Sequence, residues 1–216
     1  MPQNATQNTT QNATQNATNA PKRSILVPLA DGFEEMEFVS IVDILRRAGI
    51  DAVVVGIDGE RLYKGAHGIE MLASHSLALM STKEQNALDG IALAGGAQGM
   101  QNLKSCPLII DMLKDMHAKG KLISAICASP IVLDAAGVLS GEFACYPSCE
   151  NGLKGAYNKK ASVVAHDNLI TSAAPATAPF FALEIVRYLL GEKKAQEISE
   201  ELLIPHLSAN ALIVRG

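Results

Sequence analysis

From Ser24 onward the apolar positions of the chain change period in a regular way. SILVPL, residues 24–29, is a short and nearly unbroken apolar run, as in a strand buried on both faces. FEEMEFVSIVDILRRAGI, residues 33–50, repeats its apolar positions at helical spacing and ends near Gly49, a residue suited to a helix C-terminus. DAVVVGI, residues 51–57, is a second strand, so the chain opens as β-α-β. The alternation returns in IALAGG (91–96), a strand entering a glycine turn, and in PLIIDMLKDMHAKG (107–120), a helix closed by Gly120. KLISAIC (121–127) is again a strand and SPIVLDAAGVLSG (129–141) a helix. ASVVAHDNLITS (161–172) predicts two strands around a His-Asp-Asn turn, and PFFALEIVRYLLGE (179–192) a long helix stopping near Gly191. Apolar strands alternating with helices imply a largely parallel sheet covered on both faces. The fold class is α/β, a doubly wound sandwich, with residues 22–216 read as one domain.

Residues 1–21, MPQNATQNTTQNATQNATNAP, depart from this pattern: a near-tetrapeptide repeat of Gln, Asn, Ala and Thr without charge. Such a segment cannot bury enough surface to offset chain entropy, and is read as a disordered polar tail. Its Asn-x-Thr triplets at Asn4, Asn8, Asn12 and Asn16 are by-products of the repeat, since no basic and apolar secretory leader is visible. Four cysteines without paired metal-ligand spacing fit a reducing compartment, so a cytoplasmic location is expected. A net charge of -4 with no run of Lys and Arg argues against nucleic acid as a partner. No apolar stretch is long enough to cross a membrane, because LISAICASPIVLDAAGVL is interrupted by Ser, Pro and Asp.

Ligands of such sheets gather at the carboxyl ends of the strands, where three features stand out. Cys127 lies at a sharp strand-to-helix junction, the setting of a nucleophile elbow, where helix N-terminal amides favour a thiolate. The bland alternative is a small buried hydrophobe, as most free cysteines are. Glu37 falls on the apolar stripe of its helix with Phe33, Ile41, Ile44 and Ala48, where desolvation raises a carboxyl pKa toward the range useful for proton transfer. The helix dipole alone would also favour an acid there. Glu35 falls on the opposite side near Arg46, as a solvated ion pair. ALAGGAQG, residues 92–99, has neither dinucleotide nor Walker spacing; its adjacent glycines could present amides to an oxyanion, or form a plain tight turn.

G-F-E-E-M-E-F at 32–38, A-G-G-A-Q-G at 94–99, A-I-C-A-S-P at 125–130 and T-S-A-A-P-A-T-A at 171–178 together resemble the ThiJ/PfpI superfamily. The chain is similar to the branch that holds the parkinsonism-associated protein deglycase and bacterial glyoxalase III-like proteins. The likeness spans about residues 23–200. It implies a flavodoxin-like sandwich, usually a homodimer, with Cys127 as nucleophile and Glu37 hydrogen-bonded to its sulfur. Gly95, Gly96 and Ala128 would supply the amides of an oxyanion pocket. Ala94 replaces a proline common in the family. Ala128 stands where the peptidase-like branch has a histidine, which argues against proteolysis.

Tyr146 stands where several relatives have a histidine, so proton transfer is assigned to Glu37 alone, with Tyr146 bordering the pocket. His166 is expected in a hairpin turn and His117 near a helix C-terminus, while His67, His75 and His206 cannot be placed. Cys145 and Cys149 are weak zinc candidates and better candidates for resolving an oxidised Cys127. Cys106 is read as packing or an exposed thiol. The activity implied is conversion of methylglyoxal or glyoxal to a 2-hydroxy acid, or repair of glycation adducts, without cofactor or metal. A non-enzymatic alternative keeps the same residues: a redox sensor or stress chaperone in which Cys127 is oxidised to sulfinate beside a protonated Glu37.

Overall fold

The computed structural model describes residues 22–206. The Gln/Asn/Thr repeat and the final SANALIVRG stretch lie outside the described residues. The first unit is β1 (Ser24–Leu29), α1 (Glu35–Arg47) and β2 (Asp51–Gly56). A hairpin of β3 (Leu62–Lys64) and β4 (Glu70–Leu72) follows, then β5 (His75–Ser76) and α2 (Thr82–Ala87). The middle of the chain gives β6 (Gly90–Leu93), α3 (Ala97–Lys104), α4 (Pro107–Ala118), β7 (Leu122–Ile126) and α5 (Pro130–Ala135). A two-stranded parallel pair, β8 (Glu142–Phe143) and β9 (Ala156–Tyr157), precedes the antiparallel hairpin of β10 (Val163–His166) and β11 (Leu169–Ser172). The described chain closes with α6 (Ala178–Leu190) and α7 (Glu192–Glu201).

The main sheet runs β10-β11-β7-β6-β1-β2-β5, parallel throughout except for the β10 edge. Its five central strands stand in the flavodoxin-like order 2-1-3-4-5. α1 packs on α6 and α6 on α7; α3, α4 and α5 pack on one another, so two helical groups flank the sheet. Strands buried on both faces need near-continuous apolar sequence, and β6 and β7 are buried along their whole length. The one hydroxyl in β7 is accommodated because Ser124 Oγ donates to the Ile91 carbonyl at 2.8 Å. The fold is α/β with a flavodoxin-like sheet, as the alternation of periods indicates.

The long strands and helices fall where the apolar periods place them, and α5 is shorter than its apolar stretch. The short hairpin β3–β4 and the polar helices α3 and α7 were not anticipated. The hairpin also overturns one expectation. Glu35 is buried, not part of a solvated pair with Arg46, because the loop after β3 folds over the start of α1. Arg46 instead donates to the Ala52 carbonyl at 3.1 Å.

Candidate active site

Three strand ends meet where the connections out of β1 and β6 diverge to opposite sides of the sheet, the crevice in which ligands of such folds bind. The β1 end leads through Gly32 to Glu37, the β6 end into Gly95 and Gly96, and the β7 end into Cys127. Cys127 sits at φ 63°, in the left-handed region that a non-glycine residue enters at a penalty of roughly 1–3 kcal/mol. The surroundings hold it there. Its N–H donates to the Ser172 carbonyl and its own carbonyl accepts the Tyr146 N–H, both at 2.9 Å. Beyond the turn, the buried Ser129 donates its hydroxyl to the Ala94 carbonyl at 2.6 Å, tying the elbow to the glycine loop.

Glu37, in the first turn of α1, is 0% exposed. Its N–H is capped by the Glu34 carboxylate at 2.7 Å, and its Oε2 accepts the Gly95 N–H at 2.6 Å. The other oxygen, Oε1, is buried without a hydrogen-bond partner among the described residues, a natural seat for a proton. Burial raises the Glu37 carboxyl to about 7, against the Gly95 amide and the Cys127 thiol that pull it down; the Glu34 charge adds to the rise. Burial also pushes the Cys127 thiol up, together with the charge of Glu37 and the hydrogen bond between them, while the Gly96 and Ala128 amides pull it down. The two rises describe one coupled pair, because ionising both groups would set two charges side by side in a desolvated site.

The glycines are required by space. A Cβ on Gly95 would stand 2.7 Å from both Cys127 Cβ and Glu37 Oε2, and Gly96, at φ +89°, would place one 2.2 Å from the Gly32 carbonyl. The amides facing the sulfur are those of Gly96 and Ala128. Gly95, expected to join them, instead gives its N–H to Glu37. The carboxyl needs a fixed donor to keep one oxygen oriented, and Gly95 is the residue that lies against it. Because α5 has only six residues, it adds little helix dipole to these local amides.

Tyr146 is tied to the elbow by its backbone, and its side chain is 48% exposed. The groups that set the Cys127 titration include no histidine. His166 contacts the Ser140 carbonyl and His67 pairs with Glu35. Sequence reasoning missed Glu34, Ser129 and Ser172. Only Glu34 had a readable signal, an acid three residues before Glu37 at a helix start. Among the described residues, three potential metal donors converge only at Glu34, Glu35 and His67. There the Glu35 oxygens already accept from His67 and from the Ile69 N–H, so that carboxylate is committed to the loop.

Residues 23–188 match the DJ-1/PfpI family. The chain belongs to this family. It is 40% identical to Protein dj-1beta of Drosophila melanogaster over 85% of this chain and 98% of that protein. It is 35% identical to the glutathione-independent glyoxalase DJR-1.2 of Caenorhabditis elegans, over 83% of this chain and 95% of that protein. The crystal structure of Drosophila melanogaster DJ-1beta superposes with a TM-score of 0.79 at 39% identity, covering 84% of this chain and 98% of that one. Family membership thus coincides with the strand-end cysteine and the buried glutamate, both inside the matched span.

Proposed function

We propose that the protein converts 2-oxoaldehydes such as methylglyoxal to 2-hydroxy acids, using Cys127 and Glu37 and no cofactor. The observation that carries this reading is the strained Cys127 held against the buried Glu37, whose carboxyl burial raises to about 7. Sulfur attacks the aldehyde carbon while its proton passes to Glu37 and on to the new oxygen, giving a hemithioacetal. The Gly96 and Ala128 amides steady the negative charge developing on the way. Glu37 as carboxylate then removes the proton from the former aldehyde carbon, leaving an enediolate, and returns it to the neighbouring carbon while the hydroxyl proton passes from the former aldehyde oxygen to the former ketone oxygen. The product is a thioester. Water cleaves it to the 2-hydroxy acid and restores the thiol, so that methylglyoxal plus water becomes lactic acid. Reversal of the first addition on a glycated amine or thiol would give adduct repair at the same site.

Similarity to a glutathione-independent glyoxalase supports this reading. The test is lactate formation from methylglyoxal without glutathione or added metal, followed over many equivalents. Wild type should sustain it, and Cys127→Ser and Glu37→Gln should each lose at least about 10²-fold, the scale of one acid–base or nucleophilic group. A second reading is favoured by the buried, proton-bearing Glu37: a carboxylic acid there could donate to an oxidised Cys127 sulfur in a redox sensor. Two equivalents of peroxide consumed at Cys127, taking the thiol through sulfenic acid to sulfinate with release of two waters, and no lactate at any time, would favour the sensor.

A further inference from the structure

The mechanism leaves two thiols beside the elbow unused. Cys145 is 1% exposed, and Cys149 packs half-buried against the same core. Between them the chain turns back: the Cys149 N–H donates to the Tyr146 carbonyl at 2.9 Å, and Ser148 at φ 77° provides the reversal. Such a turn brings its first and fourth Cα atoms within about 7 Å, and Cys145 directly precedes it. A disulfide requires Cα atoms about 4.4–6.8 Å apart. The thiols also sense one another. Burial pushes Cys145 up to about 12, and the nearby Cys149 and Glu150 add to the rise; Glu150 likewise raises Cys149, after burial. Glu150 Oε2 is buried with no hydrogen-bond partner among the described residues, an acceptor available to a thiol proton. A metal is less well served, because among the described residues the two cysteines belong to no cluster of three potential donors.

We propose that Cys145 and Cys149 are a redox-active dithiol that closes to an intrachain disulfide when a hydroperoxide is the oxidant. The more exposed Cys149 sulfur attacks the peroxide, breaking the O–O bond, forming a sulfenic acid and releasing water or an alcohol. Cys145 then displaces hydroxide from that sulfur. The S–S bond forms, the second water leaves, and two electrons and two protons have passed from the thiols to the peroxide. The ring so closed contains Tyr146, whose N–H holds the Cys127 carbonyl, so the oxidation falls on the segment that supports the elbow.

The test uses full-length Cys127→Ser protein, which removes the elbow sulfur and makes the result independent of the proposed enzyme activity. Reduced protein is treated with hydrogen peroxide, alkylated, and mapped by mass spectrometry. The expected product is two hydrogens lighter, with the loss confined to the peptide carrying Cys145 and Cys149 and reversed by dithiothreitol. Adding Cys149→Ser should abolish it and adding Cys106→Ser should leave it intact. Both thiols remaining free to alkylation, each carrying only oxygen adducts, or a disulfide that involves Cys106 or joins two chains would overturn the proposal.

Discussion

Glu37 is the residue at which burial, stability and chemistry meet. In the unfolded chain its carboxyl titrates near 4.5, and in the folded site near 7. The folded state therefore holds this proton more tightly, so the stability it contributes is complete below about pH 4.5 and is lost as the pH rises through 7. The difference amounts to on the order of 3 kcal/mol. Denaturant melts of wild type and Glu37→Gln should show wild type losing stability relative to the variant between these limits. A constant difference across the window would contradict the shift. Iodoacetamide should label Cys127 at lower pH in Glu37→Gln than in wild type, because the Glu37 charge that helps to push the thiol up is gone; labelling shifted to higher pH in the variant would contradict that coupling. Gly95→Ala tests the spacing, since its Cβ would press on both partners at 2.7 Å. Lactate formation should fall about 10²-fold, as displacements near 1 Å do, with a stability loss of roughly 1–3 kcal/mol. The placement of Cys127 at a strand-to-helix junction and of Glu37 on an apolar stripe was legible in the sequence, whereas their assignment to one site came from the family resemblance. The Gly95 hydrogen bond was not, because a motif identifies an amide without saying which acceptor it meets.

At the scale of elements, the start of α1 is held by the loop of the β3–β4 hairpin. Glu35 accepts the His67 and Ile69 N–H groups at 2.6 and 3.4 Å and contacts His67 Nδ1 at 2.8 Å. Burial alone would raise the Glu35 carboxyl, but the His67 side-chain and backbone hydrogen bonds outweigh it and lower it. The Ala66 N–H reaches the Phe33 carbonyl at 2.9 Å and Gly32 donates to the Lys64 carbonyl at 2.7 Å, so the segment leading to Glu37 is gripped on several sides. Glu35→Ala should therefore cost about 1–3 kcal/mol, because it removes the hydrogen bonds that one buried carboxylate makes to the loop. Amide exchange across residues 62–72 should accelerate more than exchange in β1 or β7; equal acceleration would mean that the loop is no clamp. A helical wheel put Glu35 on the outer side of α1 correctly in angle and wrongly in environment. Periodicity describes one helix and does not know what later folds across it, and three-residue strands such as Leu62–Lys64 carry too few positions to show a period.

Over the whole molecule, the sheet order places the β1, β6 and β7 ends in one crevice, and this much followed from the alternation of strands and helices. Which surface meets another chain did not, since exposure emerges only after packing. α1 buries Glu37, Ile41 and Leu45 inward but leaves Val39 46% exposed, facing a groove of about 320 Å³ with Phe180, Pro179, Leu202 and Ile204. No helix among the described residues is long and apolar enough to cross a membrane. We propose that a second copy of the chain covers this apolar face, in the homodimer that the family resemblance implies. α1 would then carry Glu37 on one side and the interface on the other. A charge at Val39 would have to be desolvated on association, which is strongly unfavourable without a partner ion. Light scattering coupled to gel filtration should give the mass of two chains for wild type and of one for Val39→Asp. A Val39→Asp protein that keeps its fold by circular dichroism and still elutes as two chains would place the interface elsewhere. If it elutes as one chain, lactate assays on that monomer report whether the partner helps to hold the start of α1, and with it the carboxyl, against Cys127.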